Sequence, residues 1–132
     1  MRALLLIATL TGLTQCGGDE TVSAYGGGSS TWRLVELDGT PFGATATLDL
    51  SEPGRISGQA PCNRYFADQT APYPWFQAGA IAATRRACPE LALEQAFLTA
   101  LAEMSLSEVS GDILILSNDA GRQMLFRAAD QG

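Results

Sequence analysis

The sequence predicts an α+β domain: a curled antiparallel β-sheet, open-barrel-like, with one packed α-helix. Three observations predict it. Short alternating or continuously apolar runs, separated by Gly, Pro, Asp and Asn, recur across residues 32–58 and again across 105–127. One run of helical periodicity, residues 89–104, lies between them. No internal repeat and no βαβ alternation is present, so a parallel nucleotide-binding sheet is not expected. A chain of 132 residues is enough for one domain around a single core.

The first fifteen residues read as a leader. Met1-Arg2 supplies one positive charge, and residues 3–13 form an uncharged, mostly apolar run. That run is shorter than the roughly 20 residues a helix needs to cross a bilayer core, and it fits the apolar region of a secretory signal. Leu13-Thr14-Gln15-Cys16 resembles the lipobox of bacterial lipoproteins, with Gln15 in place of the usual small residue. The resemblance implies removal of residues 1–15 and acylation of Cys16. Gly17, rather than Asp, after the cysteine resembles the outer-membrane form of the sorting signal. The alternative is an ordinary signal peptide in which Cys16 is incidental.

Residues 16–30, rich in Gly and Ser and without apolar period, read as a flexible tether. A tether of this kind spans about 20 Å. Loss of Arg2 leaves seven arginines against fourteen acids, so attachment is expected to rest on acyl chains rather than on attraction to anionic lipid. With Cys16 assigned to lipid, Cys62 and Cys88 remain as an even pair in an exported chain. We expect them to form a disulfide closing a loop of about 27 residues, worth about 3.5 kcal/mol by chain entropy. Two buried free thiols are the alternative.

The folded domain is placed at residues 31–130. Residues 32–37 predict a half-buried strand ending at the turn Asp38-Gly39. Residues 44–50 repeat the alternation, and Glu52-Pro53-Gly54 turns the chain back into a strand at 55–58. From 60 to 75 the pattern dissolves into Pro, Asn, Asp and aromatics, read as a long connection with short paired pieces. Residues 75–78 and 80–82 are read as further strands about Gly79. In the helix, Pro89 suits the first position and Glu90 the positive end. Leu93, Phe97, Ala100, Leu101 and Met104 share one face, read as the core contact, with Gln95, Thr99 and Glu103 opposite. Residues 105–109 form a strand, and 113–116 and 123–127 a hairpin about Asn118-Asp119-Ala120-Gly121.

These residues resemble a known family. Trp32, Leu34 and Leu37-Asp38-Gly39 resemble the opening strand of the META domain, the family of the heat-shock protein HslJ. Ile56-Ser57-Gly58 followed by Cys62-Asn63-Arg64-Tyr65, and Thr84-Arg85 with Cys88, resemble its two cysteine-bearing elements. Glu94, Phe97, Leu98 and Leu101 resemble its helix, and Leu114, Leu116, Gly121, Leu125 and Phe126 its closing hairpin. The resemblance spans residues 31–127. It implies a small envelope or secreted protein, often a lipoprotein, with a barrel-like sheet plus a helix, a loose association with stress resistance and no established reaction. The family cysteines match Cys62 and Cys88.

Composition narrows the chemistry. All eight basic residues are Arg, and the chain contains neither His nor Lys. That removes a His general base, a Schiff-base lysine and a His ligand for zinc. A net charge of −6 argues against nucleic acid as a partner. No D-x-D-x-D-G calcium loop appears, the acids are scattered, and neither metal nor cofactor is expected. The candidate anion site is Asn63-Arg64 with Thr84-Arg85-Arg86, brought together if Cys62 meets Cys88, because guanidinium groups bind carboxylate or phosphate bidentately. The alternative has Arg64 and Arg85 paired with Asp68, Glu90 or Glu94 while Asn63 and Thr84 satisfy turn backbone. Tyr65-Phe66 and Tyr73-Pro74-Trp75-Phe76 are read either as a peptide or sugar platform or as core plugs. The expected function is therefore a non-enzymatic, lipid-anchored envelope protein, its domain monomeric in the periplasm. Its membrane contact is the lipid anchor, an envelope protein is its candidate partner, and its role is binding or stress protection. The alternative is a barrel holding a small anionic or apolar ligand, recognisable by an open interior of several hundred Å³.

Overall fold

A computed structural model describes residues 18–129. The leader, Cys16 and Asp130 lie outside the described residues. As predicted, the fold is α+β. Nine strands form one antiparallel sheet: β1 (Thr31–Leu37), β2 (Thr40–Pro41), β3 (Thr47–Asp49), β4 (Arg55–Gln59), β5 (Arg64–Asp68), β6 (Ala82–Ala83), β7 (Leu106–Ser110), β8 (Ile113–Ser117) and β9 (Gln123–Ala129). Their order is β6-β5-β4-β3-β1-β9-β8-β7, with β2 paired to β1. The first and last strands to form the centre, β1 and β9, lie side by side, with a register shift between Leu34 and Glu36. The sheet stays open, and the loop between β5 and β6 spans its gap. Gly79 N–H donates to Asp68 O at the end of β5, while Phe76 N–H donates to Ser105 O and Ser107 N–H to Pro74 O along β7.

Period-two alternation puts Trp32 and Leu34, Tyr65 and Ala67, Leu114 and Leu116, and Met124 and Phe126 on the concave side. One helix, α1 (Leu91–Glu103), closes over that side with Phe97, Ala100 and Leu101 buried. Phe97 meets Tyr65 edge-on at 5.5 Å between ring centres. The concave face is thus filled by side chains. The helix begins two residues later than Pro89 because Leu91 N–H bonds Cys88 O, a tight turn set by the cysteine. Asp38 and Gly39 both take positive φ, 52° and 78°, in the two-residue turn that joins β1 to β2.

Three expectations need correction. Residues 64–68, read as part of a long connection, form the full strand β5, its alternation hidden by charged flanks. Of residues 44–50 only Thr47–Asp49 join the ladder. Residues 75–78 make a single bridge, Trp75 to Leu106, and the strand expected at 80–82 is the short β6.

The tether reading is overturned over most of its length. Val22–Tyr25 and Gly27–Ser29 are turns of 3-10 helix packed on the domain, with Val22 and Gly27 buried. The indole N–H of Trp32 donates to Gly27 O at 2.8 Å, so the buried ring finds its acceptor in this segment. A Cβ on Gly27 would press on Val22 O and Leu50. Here glycine serves close approach rather than flexibility. Tyr73 N–H donates to Glu20 O at 2.7 Å, which ties the chain down from residue 20 onward.

Candidate functional site

Two chain segments meet beside the disulfide: residues 62–64, entering β5, and residues 84–88, leaving β6. The ladder between β5 and β6 pairs Tyr65 with Ala83. It is extended by Thr84 N–H to Arg64 O (3.0 Å) and by Arg64 N–H to the Thr84 hydroxyl (3.2 Å). Cys62 and Cys88 are bonded, their Cα atoms 5.7 Å apart. The pairing predicted from compartment and cysteine count is present.

Asn63, only 4% exposed, is the centre of this junction. Its Oδ1 accepts from Arg86 N–H (2.6 Å) and the Thr84 hydroxyl (2.9 Å). Its Nδ2 donates to Glu94 Oε2 (2.6 Å) and Arg86 O (2.9 Å). Glu94, also 4% exposed, stands in the first turn of α1. Its Oε1 accepts from the backbone N–H groups of Cys62 (2.9 Å) and Asn63 (2.7 Å). A buried carboxylate is thus held by N–H donors and by the positive end of a helix rather than by a cation. Asn63 and Glu94 therefore build the junction, and Asn63 does not face solvent as a ligand donor. Thr84 lines the surface, but its hydroxyl is engaged on both sides.

The arginines are different. Arg64, Arg85 and Arg86 are exposed and, with Gln59, Cys62 and Thr84, line a surface hollow of about 370 Å³. No acid lines it. The ion pairs expected with Asp68, Glu90 or Glu94 do not form: among the described residues both salt bridges belong to Arg122, with Asp38 and Glu103. In a hollow of about 390 Å³ at Asp38 and Arg122 the one arginine is already bonded to Asp38, and Glu36 adds a further acid to the lining. A third, of about 470 Å³, shares Gln59 and Arg64 with the arginine hollow but adds Asp49 and Glu52, which bound the positive region. On that side Arg55 lies over the exposed ring of Phe66, 4.6 Å from its centre.

The aromatic stretches divide between the two readings. Tyr65 and Phe76 are core. The Tyr65 hydroxyl donates to Thr47 O at 2.6 Å, and burial pushes its phenol well above the ordinary range. Trp75 and Phe66 are exposed, and Tyr73 is half-buried under Tyr25.

An open antiparallel sheet with a helix over its concave face and a disulfide-pinned polar corner defines the class. The META domain family model matches residues 28–131, and the chain belongs to that family. Among solved structures, the fold is similar to that of a protein from Burkholderia xenovorans determined by NMR. That protein is 24% identical, with 83% of this chain and 88% of that chain covered and a TM-score of 0.66. It is also similar to a crystal structure of a DUF4847 family protein from Bacteroides vulgatus, 14% identical, covering 84% and 99% of the two chains with a TM-score of 0.65. No curated protein matches the chain.

Proposed function

We propose that this META-domain protein is a non-enzymatic binding protein of the bacterial envelope. In this reading it is held at the outer membrane by acylated Cys16, its domain is a monomer in the periplasm, and its role is binding or stress protection. We place its binding surface at the arginine hollow, which would take the carboxylate or phosphate group of a small molecule or an envelope protein. The observation that carries this is the convergence of Arg64, Arg85 and Arg86 on one hollow without an acid in its lining, in a chain whose acids outnumber its bases. Guanidinium groups without an acid partner among the described residues, Arg64 on β5 and Arg85 and Arg86 on the segment that follows β6, favour bidentate anion recognition. Glu94, the acid of the junction behind the hollow, is buried and its two oxygens are occupied by N–H donors, which fits binding rather than turnover. The leader and lipobox resemblance support the address, and the family resemblance the stress association. An apolar ligand inside the barrel has no support, because Trp32, Tyr65, Phe97 and Phe126 occupy the interior.

Titration of the domain with inorganic phosphate, followed by amide chemical shifts, tests the hollow. The expected shifts cluster at residues 62–64 and 84–86, and R85A abolishes them with the melting temperature nearly unchanged. Shifts that survive R85A, or a variant that melts early while still binding, would contradict the reading.

A further inference from the structure

The described residues leave three large apolar side chains exposed, and two of them, Tyr25 (53%) and Trp75 (58%), belong to segments linked through Tyr73 to residue 20. Tyr25 stacks flat on Tyr73, 4.8 Å between ring centres with planes 8° apart. Tyr73 in turn fixes the departing chain through its N–H to Glu20 O (2.7 Å). Asp19 Oδ1 holds both the N–H (2.9 Å) and the hydroxyl (2.5 Å) of Thr21, so order extends back to residue 19. From Glu20 to Cys16 is four residues, a reach of at most about 14 Å. An anchor on Cys16 cannot carry the aromatic face far from the lipid.

We propose that the face carrying Tyr25, Tyr73 and Trp75 is a membrane-contact surface that lies in the headgroup region of the bilayer into which Cys16 is anchored. This rests on the acylation of Cys16 proposed above. Rings with an apolar body and one polar tip suit that interface, where Tyr and Trp partition. The face is presented rigidly. Trp75 N–H bonds Pro72 O and Trp75 pairs with Leu106, while Val109 N–H bonds the Tyr73 hydroxyl at 3.3 Å. The segments that form it, residues 18–26, 72–76 and 105–110, carry Asp19, Glu20 and Glu108 and no basic residue. The lipid is therefore zwitterionic in preference to anionic. Arg64 opens β5, and the loop bearing Tyr73 and Trp75 leaves from the other end of that strand. Seating the aromatic face on lipid turns the arginine hollow toward the aqueous compartment.

With Cys62 and Cys88 bonded to each other, Cys16 is the remaining thiol of the chain from residue 16 onward. Coupling it to a maleimide lipid in phosphatidylcholine vesicles places the anchor at that residue without relying on acylation in the cell. Trp32 is fully buried, so a change in indole fluorescence reports Trp75. We expect a blue shift, loss of intensity with bromine-labelled acyl chains, and no dependence on salt. W75F should lose the response. Emission that stays unshifted and unquenched on the vesicle would overturn the proposal, even if Cys16 of the natural protein is acylated. An unacylated Cys16 in the natural protein would remove the anchor reading instead, whatever the vesicle experiment gives.

Discussion

The amide of Asn63 makes four hydrogen bonds, and its orientation is forced. Arg86 N–H needs an acceptor, so Oδ1 must face it and Nδ2 must face Glu94. Truncation by N63A leaves Arg86 N–H and O and one Glu94 oxygen without protein partners. We expect a loss of about 2–4 kcal/mol in urea unfolding. E94Q is the finer probe: its amide N–H₂ would confront Nδ2 of an asparagine that cannot turn over, and about 1–3 kcal/mol should be lost with little change in volume. If either variant unfolds like the parent, the junction does not hold the corner together. In the sequence Asn63 stands out beside Cys62 as an anion-site candidate, whereas Glu94 enters only as one of three acids that could pair with the arginines and as part of the helix resemblance. The signal that would have found it is its position: Glu94, Phe97 and Leu101 fall on one helical face, and an acid on a buried stripe calls for donors. What the sequence does not carry is the register that brings the N–H groups of residues 62 and 63 to that acid from 32 and 31 residues away.

At the scale of elements, Arg122 joins the β8–β9 turn to two others. Its guanidinium meets Asp38 in the β1–β2 turn (2.9 Å) and Glu103 at the end of α1 (2.8 Å). The hydrogen bond from Arg122, then the Gln123 N–H, hold the Asp38 carboxyl below its ordinary value of 3.8. A depressed carboxylate contributes stability that is complete above 3.8 and is lost as pH falls through the lower folded value. D38N keeps a residue that tolerates positive φ and retains an acceptor for Gln123 N–H, but it turns an amide N–H₂ toward Arg122, so it removes the charge together with the two hydrogen bonds from Arg122. Wild type should melt slightly above D38N at neutral pH, the gap closing in acid and in high salt, and it should be small because the pair is largely in water. A gap that widens in acid would refute the assignment. The strands β1, β4 and β7 were legible from alternation beside turn residues, and β8 and β9 from two apolar runs about the turn at Asn118-Asp119-Ala120-Gly121. β5 was not, since Arg64 and Asp68 bracket its inward Tyr65 and Ala67 and blur the pattern. Composition misled at residues 20–30, where Gly and Ser read as flexible although Trp32 and Leu50 require them as packing partners.

The whole molecule is an open sheet whose gap is spanned by one loop and whose polar corner is tied by one disulfide. The class of fold followed from strand, helix and strand patterns, and the pairing of Cys62 with Cys88 from compartment and cysteine count. The bridging of β7 by the loop after β5 did not, because it joins residues 74–76 to 105–107 by backbone bonds that leave no compositional mark. Reduction of the disulfide should cost about 3.5 kcal/mol, or roughly 15 °C of melting temperature for a domain of this size. A reduced domain that melts with the oxidised one would show that the bond is incidental. Lipid anchoring at Cys16 and the Cys62–Cys88 bond both require the chain to reach an oxidising space, the first with its leader replaced by lipid. Intact mass analysis of the natural protein, alkylated without reduction, tests this most directly. The predicted species begins at Cys16, carries acyl mass there and takes no alkyl group on Cys62 or Cys88. A chain beginning at Met1, without lipid and with all three cysteines alkylated, would contradict it.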